Sequence, residues 1–224
     1  MSLLIAFFAK LGLIFVQLMP GFSRSLLIFA MTLLLSLPLG LLVSFGRMSK
    51  CCVLRSIVKA YISIMRGTPL MLQLMVVYFG PWYIFGIAIT DAYQIYAVII
   101  AFVVNYSAYF AEIYRGGIES IQVGQYEAAE VLGYTKNQTF FRIILPQVIK
   151  RILPSVTNEV MTLIKDTSLS FVISYMEMFN TARQLASAQS SVLPYLGAAI
   201  FYYLFNLLVA ILMEKAEKRV SYYE

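Results

Sequence analysis

Five apolar runs, at about residues 26–45, 58–85, 93–114, 153–175 and 195–213, dominate the chain, each close to or above the roughly 20 residues a helix needs to cross a bilayer. In hydrocarbon every backbone N–H and C=O must be satisfied within the protein, so runs of this length cross as helices. The segments between them sort the basic residues. Arg47, Lys50, Arg55, Lys59, Arg115, Lys136, Arg142, Lys150, Arg151, Lys215, Lys218 and Arg219 fall on one side, against Lys10, Arg24 and Arg183 on the other. The richer side is cytoplasmic by the positive-inside rule. The sequence therefore predicts an all-α integral membrane protein with five transmembrane helices, N-terminus outside and C-terminus inside.

A mean hydropathy of +0.81, with 61% hydrophobic and 12% charged residues, excludes a soluble globular domain. The net charge of +6 follows the topology, so it calls for no nucleic-acid partner. There is no His, and the only two cysteines, Cys51 and Cys52, are adjacent, which makes a disulfide framework or a zinc site implausible. Residues 1–20 are apolar but interrupted by Lys10 and ended by Pro20-Gly21, and they read as an N-terminal interfacial lead-in helix. The mid-run charge and the lack of a small-residue cleavage site argue against a signal peptide. Residues 21–214 then form one transmembrane domain without internal repeat or linker, and 215–224 a cytoplasmic tail. Inside the second run, Arg66-Gly67-Thr68-Pro69 places an expensive charge beside a backbone-freeing turn, which should face protein or a water-filled path.

Residues 125–146, QYEAAEVLGYTKNQTFFRIILP, form an island of soluble-looking sequence between the third and fourth runs. It reads as two short helices. The first, 125–132, is built of good helix formers with Glu127 and Glu130 in its early turns, and Gly133 stops it as a left-handed C′ glycine. Thr135 opens the second, because Thr135-Lys136-Asn137-Gln138 fits a capping box, and Pro146 closes the unit. Ala128 and Ala129 are small, so a helix carrying them beside Glu127 can sit closely in a groove on another protein.

Two of the runs carry polar residues at helical spacing. Within 158–166, NEVMTLIKD, the residues Asn158, Glu159, Thr162, Lys165 and Asp166 share one stripe about 120° wide, leaving Val160, Met161, Leu163 and Ile164 the rest of the circle. In the third run Asn105, Tyr109 and Glu112 make a ridge beside Ala97, Ala101 and Ala108, an arrangement suited to close packing around a small polar ligand. Two readings stand for the charges. Lys165 neutralises Glu159 or Asp166, and Glu112 pairs with Arg115 or Arg66, to hold the bundle together; or these groups meet a solute. Asn105 lies deeper and is the better ligand candidate.

Glu127-Ala128-Ala129, three residues, Gly133, nine residues, then Ile143-Ile144-Leu145-Pro146 resembles the EAA loop of permease subunits of bacterial ABC importers. A narrower resemblance is carried by Arg47-Met48-Ser49, Tyr61, Arg66-Gly67-Thr68-Pro69-Leu70, Tyr78-Phe79-Gly80, residues 108–118 and Lys165-Asp166-Thr167-Ser168-Leu169. Together these are similar to the polar amino acid branch of that family over about residues 21–213, with Ser25 where the family usually has Thr. The resemblance implies a coupling helix seated in a cleft of a separate ABC ATPase, with Glu127, Ala128, Ala129, Gly133, Thr135 and Lys136 at the contact. It also implies a second permease copy or a related permease, an extracellular or periplasmic amino acid binding protein, and a multi-pass position among the lipids of a bacterial plasma (inner) membrane. The cargo it implies is an amino acid such as histidine, glutamine, glutamate, arginine or cystine.

A zwitterion needs donors for its carboxylate and oxygens for its ammonium, away from water. The unwound turn at Arg66, Gly67 and Thr68 can supply the donors, while Asn105, Asn158 and Glu159 can face the ammonium and side chain. Tyr109, Glu112, Thr162, Lys165 and Asp166 complete the candidate substrate-binding set. The sequence offers no catalytic nucleophile, no metal set and no Walker lysine loop, so no enzyme activity and no cofactor are expected in this chain. ATP and Mg are expected in the partner ATPase. The alternative is an ion-coupled secondary amino acid carrier working through Glu159 and Asp166, against which stand the few spans, the lack of inverted repeats and the docking loop. A non-transporting scaffold would leave the charged stripe without a purpose.

Overall fold

Apolar sequence of this kind satisfies its backbone locally, and every regular element among the described residues is a helix. The structure, a computed structural model, describes residues 2–220, with side chains from Ala9 onward; Met1 and the last four residues of the 215–224 tail lie outside it. Helix α1, Ser2–Arg47, runs unbroken for 46 residues, or about 69 Å. That is more than twice the thickness of a bilayer's hydrocarbon core. The expected stop at Pro20-Gly21 is therefore not a stop: both Pro20 and Pro38 lie inside the helix. A proline deletes one helical hydrogen bond, and here packing offsets the loss, since Ile14 and Leu18 are buried in a cluster with Met178, Ala182 and Ala198.

The most extensive packing is of α1 on α4, Asp91–Glu119. Both helices offer small residues to the interior, with Thr32, Ser36, Gly40 and Ser44 buried on α1 and Ala97, Ala101, Ala108 and Ala111 buried on α4. The second apolar run is not one straight span. It folds as α2, Cys52–Gly67, and α3, Leu70–Phe85, bent by 109° at the Gly67-Thr68-Pro69 break.

The surface unit between α4 and α7 begins with α5, Val123–Val131. Gly133 follows with φ of +76°, a left-handed turn. Thr135 then caps the short α6, Lys136–Gln138, through a complete capping box. Pro146 does not close this unit. The chain continues through a π-helical segment, Thr139–Ile144, directly into α7, Leu145–Asp166, with the proline in the first turn of α7. The fourth run is likewise divided, because α7 gives way at Thr167 to a 3₁₀ segment, Thr167–Ile173. The connector after it contains a further helix, α8, Met178–Gln189, before α9, Leu193–Val220.

Among the described residues three helices are long and apolar enough to cross a membrane: α1 from Ala9, α4 and α9. The bent pair α2–α3 adds a fourth candidate. Helix α7 carries Glu159, Lys165 and Asp166 and is not apolar enough to join them by composition.

Candidate functional site

The break between α2 and α3 follows from Pro69. Its ring nitrogen has no hydrogen to give to the carbonyl of Met65, four residues back, so that oxygen needs another donor. It receives two: Nε2 of Gln73 at 2.9 Å and Nδ2 of Asn105 at 3.0 Å. Asn105 also donates to Oε1 of Gln73, and Gln73 donates to the carbonyl and hydroxyl oxygens of Thr68. The Thr68 hydroxyl donates in turn to the Ile64 carbonyl at 2.8 Å. Asn105 is thus buried with its amide hydrogens used on the bend, while Arg66, Gly67 and Thr68 stay exposed beside it.

This bend carries Arg66 to α4. Its guanidinium carbon lies 5.3 Å from the ring centroid of Tyr109, and Nη1 lies 4.0 Å from a carboxylate oxygen of Glu112. Glu112 collects two further cations, Arg115 at 2.6 Å and Arg47, from the end of α1, at 3.6 Å. Arg115 also pairs with Glu119. Glu112 therefore ties together the ends of α1, α2 and α4, next to the segment that leads into the surface unit.

One turn deeper, α4 meets α7. The Tyr106 hydroxyl donates to Oδ2 of Asp166 at 2.7 Å, and the Tyr106 ring sits 6.2 Å from that of Tyr109. Glu159 is half-buried and interacts electrostatically with both Arg66 and Asp166. Arg66, Tyr109, Tyr106 and Asp166 form a polar seam between α4 and the α2 end on one side and α7 on the other, with Glu159 half-buried two turns before Asp166 on α7. Asn158, Thr162 and Lys165 lie outside it, on the exposed face of α7, where the Thr162 hydroxyl donates to the Asn158 carbonyl. Among the described residues no ion pair joins Lys165 to Glu159 or Asp166.

The surface unit is presented openly. Glu127, Ala128, Thr135 and Lys136 are exposed, whereas Ala129 is 1% exposed and its carbonyl accepts from the Tyr134 N–H. Around them Val131, Leu132 and Phe141 are 87%, 73% and 65% exposed, a dense apolar surface for a segment outside the apolar runs. Sequence reasoning missed Gln73, Tyr106 and Arg47. Gln73 had a signal: it is the lone amide in an otherwise apolar or aromatic helix. Tyr106 had none, since it sits among aromatic residues with no mark of its distant acid partner.

Apolar helices packed around a polar seam, with an open, capped surface unit running into one of the seam helices, define the class as a helical membrane protein. The chain belongs to the family described as the binding-protein-dependent transport system inner membrane component, which matches residues 36–222. It is a permease subunit of the ABC importer class and a multi-pass inner membrane protein. It is 36% identical over 210 residues to the probable amino-acid ABC transporter permease protein YckA of Bacillus subtilis, covering 93% of this chain and 91% of that one. With the L-cystine transport system permease protein TcyL of Bacillus subtilis it shares 34% identity over 201 residues, 88% of this chain and 84% of the relative. Among solved structures, an amino acid ABC transporter with histidines superposes with a TM-score of 0.83 at 30% identity, over 95% of this chain and 96% of that one.

Proposed function

We propose that this permease carries a polar amino acid inward, using ATP hydrolysed by a separate ABC ATPase. The observation that carries the reading is the continuity of α6 and the π-helical segment with α7, with α5 packed on that π-helical segment, because a displacement of the surface unit is then passed along α7 to Glu159 and Asp166. The ATPase seats on the exposed surface around Glu127, Ala128, Lys136, Val131 and Leu132. ATP and Mg belong to that subunit.

The translocation path runs along the seam and the exposed polar face of α7, which a second copy of this chain or a related permease covers. Arg66 and the turn at Gly67 and Thr68 receive the carboxylate; Glu159 and Asn158 receive the ammonium, with Tyr109, Thr162, Lys165 and Asp166 around the side chain. Asn105 and Glu112 hold the walls in place. The helices cross five times, with the N-terminus outside and the surface unit in the cytoplasm of a bacterium, and a binding protein delivers the amino acid from outside.

Uptake by the reconstituted complex tests the proposal. Strict dependence on ATP and on the binding protein is expected. Uptake driven by a proton or sodium gradient without nucleotide would instead make the chain a secondary carrier.

A further inference from the structure

We infer that Arg24 and Arg183 form the docking point for the binding protein, each receiving a carboxylate from it. The inference rests on the orientation proposed above. Arg24 and Arg47 lie on one helix, 23 residues apart, or about 35 Å, the thickness of a hydrocarbon core with its margins. Arg47 is at the Glu112 end, next to the coupling unit, so Arg24 emerges at the opposite face. There its Nη1 donates to the carbonyl of Met176 at 3.1 Å, and Gln184 donates to the sulfur of the same methionine.

Arg183 stands beside Gln184 on α8. Its guanidinium carbon is 5.5 Å from the Phe171 ring centroid, so the group is held in place without being neutralised. Among the described residues neither Arg24 nor Arg183 has an ion pair. The acid nearest in sequence to the patch, Glu177, is buried and occupied. Its carboxylate accepts from the Phe179 and Asn180 N–H groups and from the Tyr202 hydroxyl.

The platform under these arginines is rigid. The Met178 N–H donates to the Ser25 hydroxyl, and Gly21 approaches α8 so closely that a Cβ there would lie 2.8 Å from the Met178 Cα. Met178, Ala182 and Ala186 bury one face of α8, and Arg183, Gln184, Ser187 and Ala188 lie together on the open side. Two oriented, unpaired guanidiniums on a fixed surface suit bidentate capture of carboxylates. The family's systems depend on a binding protein, and the net positive charge of this patch calls for Asp and Glu on that protein's docking face.

The test uses the complete complex in nanodiscs of neutral phosphatidylcholine, titrated with its binding protein while ATP hydrolysis is followed. Arg24→Glu and Arg183→Glu should each raise the half-saturating concentration of binding protein about tenfold, with hydrolysis in its absence unchanged. Arg183→Ala should fall between, Arg183→Lys should retain most of the affinity, and added salt should weaken the wild type more than a variant combining Arg24→Glu with Arg183→Glu. Unchanged half-saturation in all variants overturns the inference. So does an effect of the variants seen only in discs containing anionic phosphatidylglycerol, which would assign the arginines to lipid headgroups. Labelling separates this from the orientation: Arg183→Cys, in a background without Cys51 and Cys52, should react with an impermeant thiol reagent outside the cell. Labelling with unchanged affinity defeats the docking point alone, whereas labelling only from inside defeats the orientation and the docking point with it.

Discussion

The side-chain amide of Asn105 donates to the Met65 carbonyl, the oxygen that Pro69 leaves without a helical partner. A residue on one helix thereby completes the backbone of another, and the bend that presents Arg66 depends on it. Asn105→Leu would remove one donor from Met65 and strand Oε1 of Gln73, at a cost of about 1–3 kcal/mol for the buried group left unpaired. We expect a lower melting temperature in detergent and reduced membrane abundance, and a larger loss for Asn105→Asp, which turns a negative acceptor toward two oxygens. Normal stability with lost transport would instead put Asn105 in contact with substrate.

The coupling unit makes a second prediction. Gly133 holds φ at +76°, and a β-carbon added there meets no neighbour within 4 Å, so the penalty is one of backbone conformation alone. Gly133→Leu should cost about 1–2 kcal/mol locally and leave the bundle folded. Together with the exposed charge reversal Glu127→Lys, it should weaken ATPase binding while membrane abundance stays normal. Co-purification of both variants with the ATPase at wild-type yield, and transport at the wild-type rate, would remove the docking role from this loop.

Local chemistry was what the sequence made legible. Gly133 and the Thr135 capping box could be placed because their signals lie within a few residues, and the stripe on α7 because helical spacing fixes which side chains share a face. Three features escaped for the opposite reason. The helix continues through Pro20 because Ile14 and Leu18 pack against residues more than 150 positions away, a long-range gain that a local proline signal cannot register. Pro146 reads equally as an end or as a first turn until the conformation of Thr139–Ile144 is known. The fate of Glu112 was open because Arg115 and Arg66 were both possible partners, and only the meeting of three helix ends brings Arg47 as well.

Glu177 should give the connector a pH dependence. Burial pushes its carboxyl from the ordinary 4.5 up to about 7, against the lowering effect of the two backbone N–H groups it accepts from. The folded state therefore holds this proton more tightly than the unfolded state, so its stability contribution is fully present below about 4.5 and is lost as pH rises toward about 7. The change is of order 3 kcal/mol at most. Melting temperature in detergent should fall between pH 5 and pH 8, and Glu177→Gln, fixed in the neutral form, should flatten that slope. Equal slopes for the two proteins would show that Glu177 does not titrate in this window.

The charges of α7 give the last prediction. Glu159 is half-buried on α7 with no ion pair among the described residues, and Lys165, about one and two-thirds turns further on, is exposed without an ion pair to Glu159 or Asp166. A carboxylate at membrane depth survives only with a partner, and a substrate ammonium passing the seam is one. Glu159→Gln keeps the shape and removes the charge, so transport should drop about tenfold or more, as expected for losing a charge-assisted contact of about 1.5–3 kcal/mol. Membrane abundance and docking of the binding protein should stay near normal. If Glu159 instead served only to neutralise Lys165, Glu159→Gln would strand that lysine and lower abundance, and adding Lys165→Met would restore it. Recovery of both abundance and transport in the double variant would make the carboxylate structural. Full abundance in the single variant, with transport still lost in the double, places Glu159 on the path.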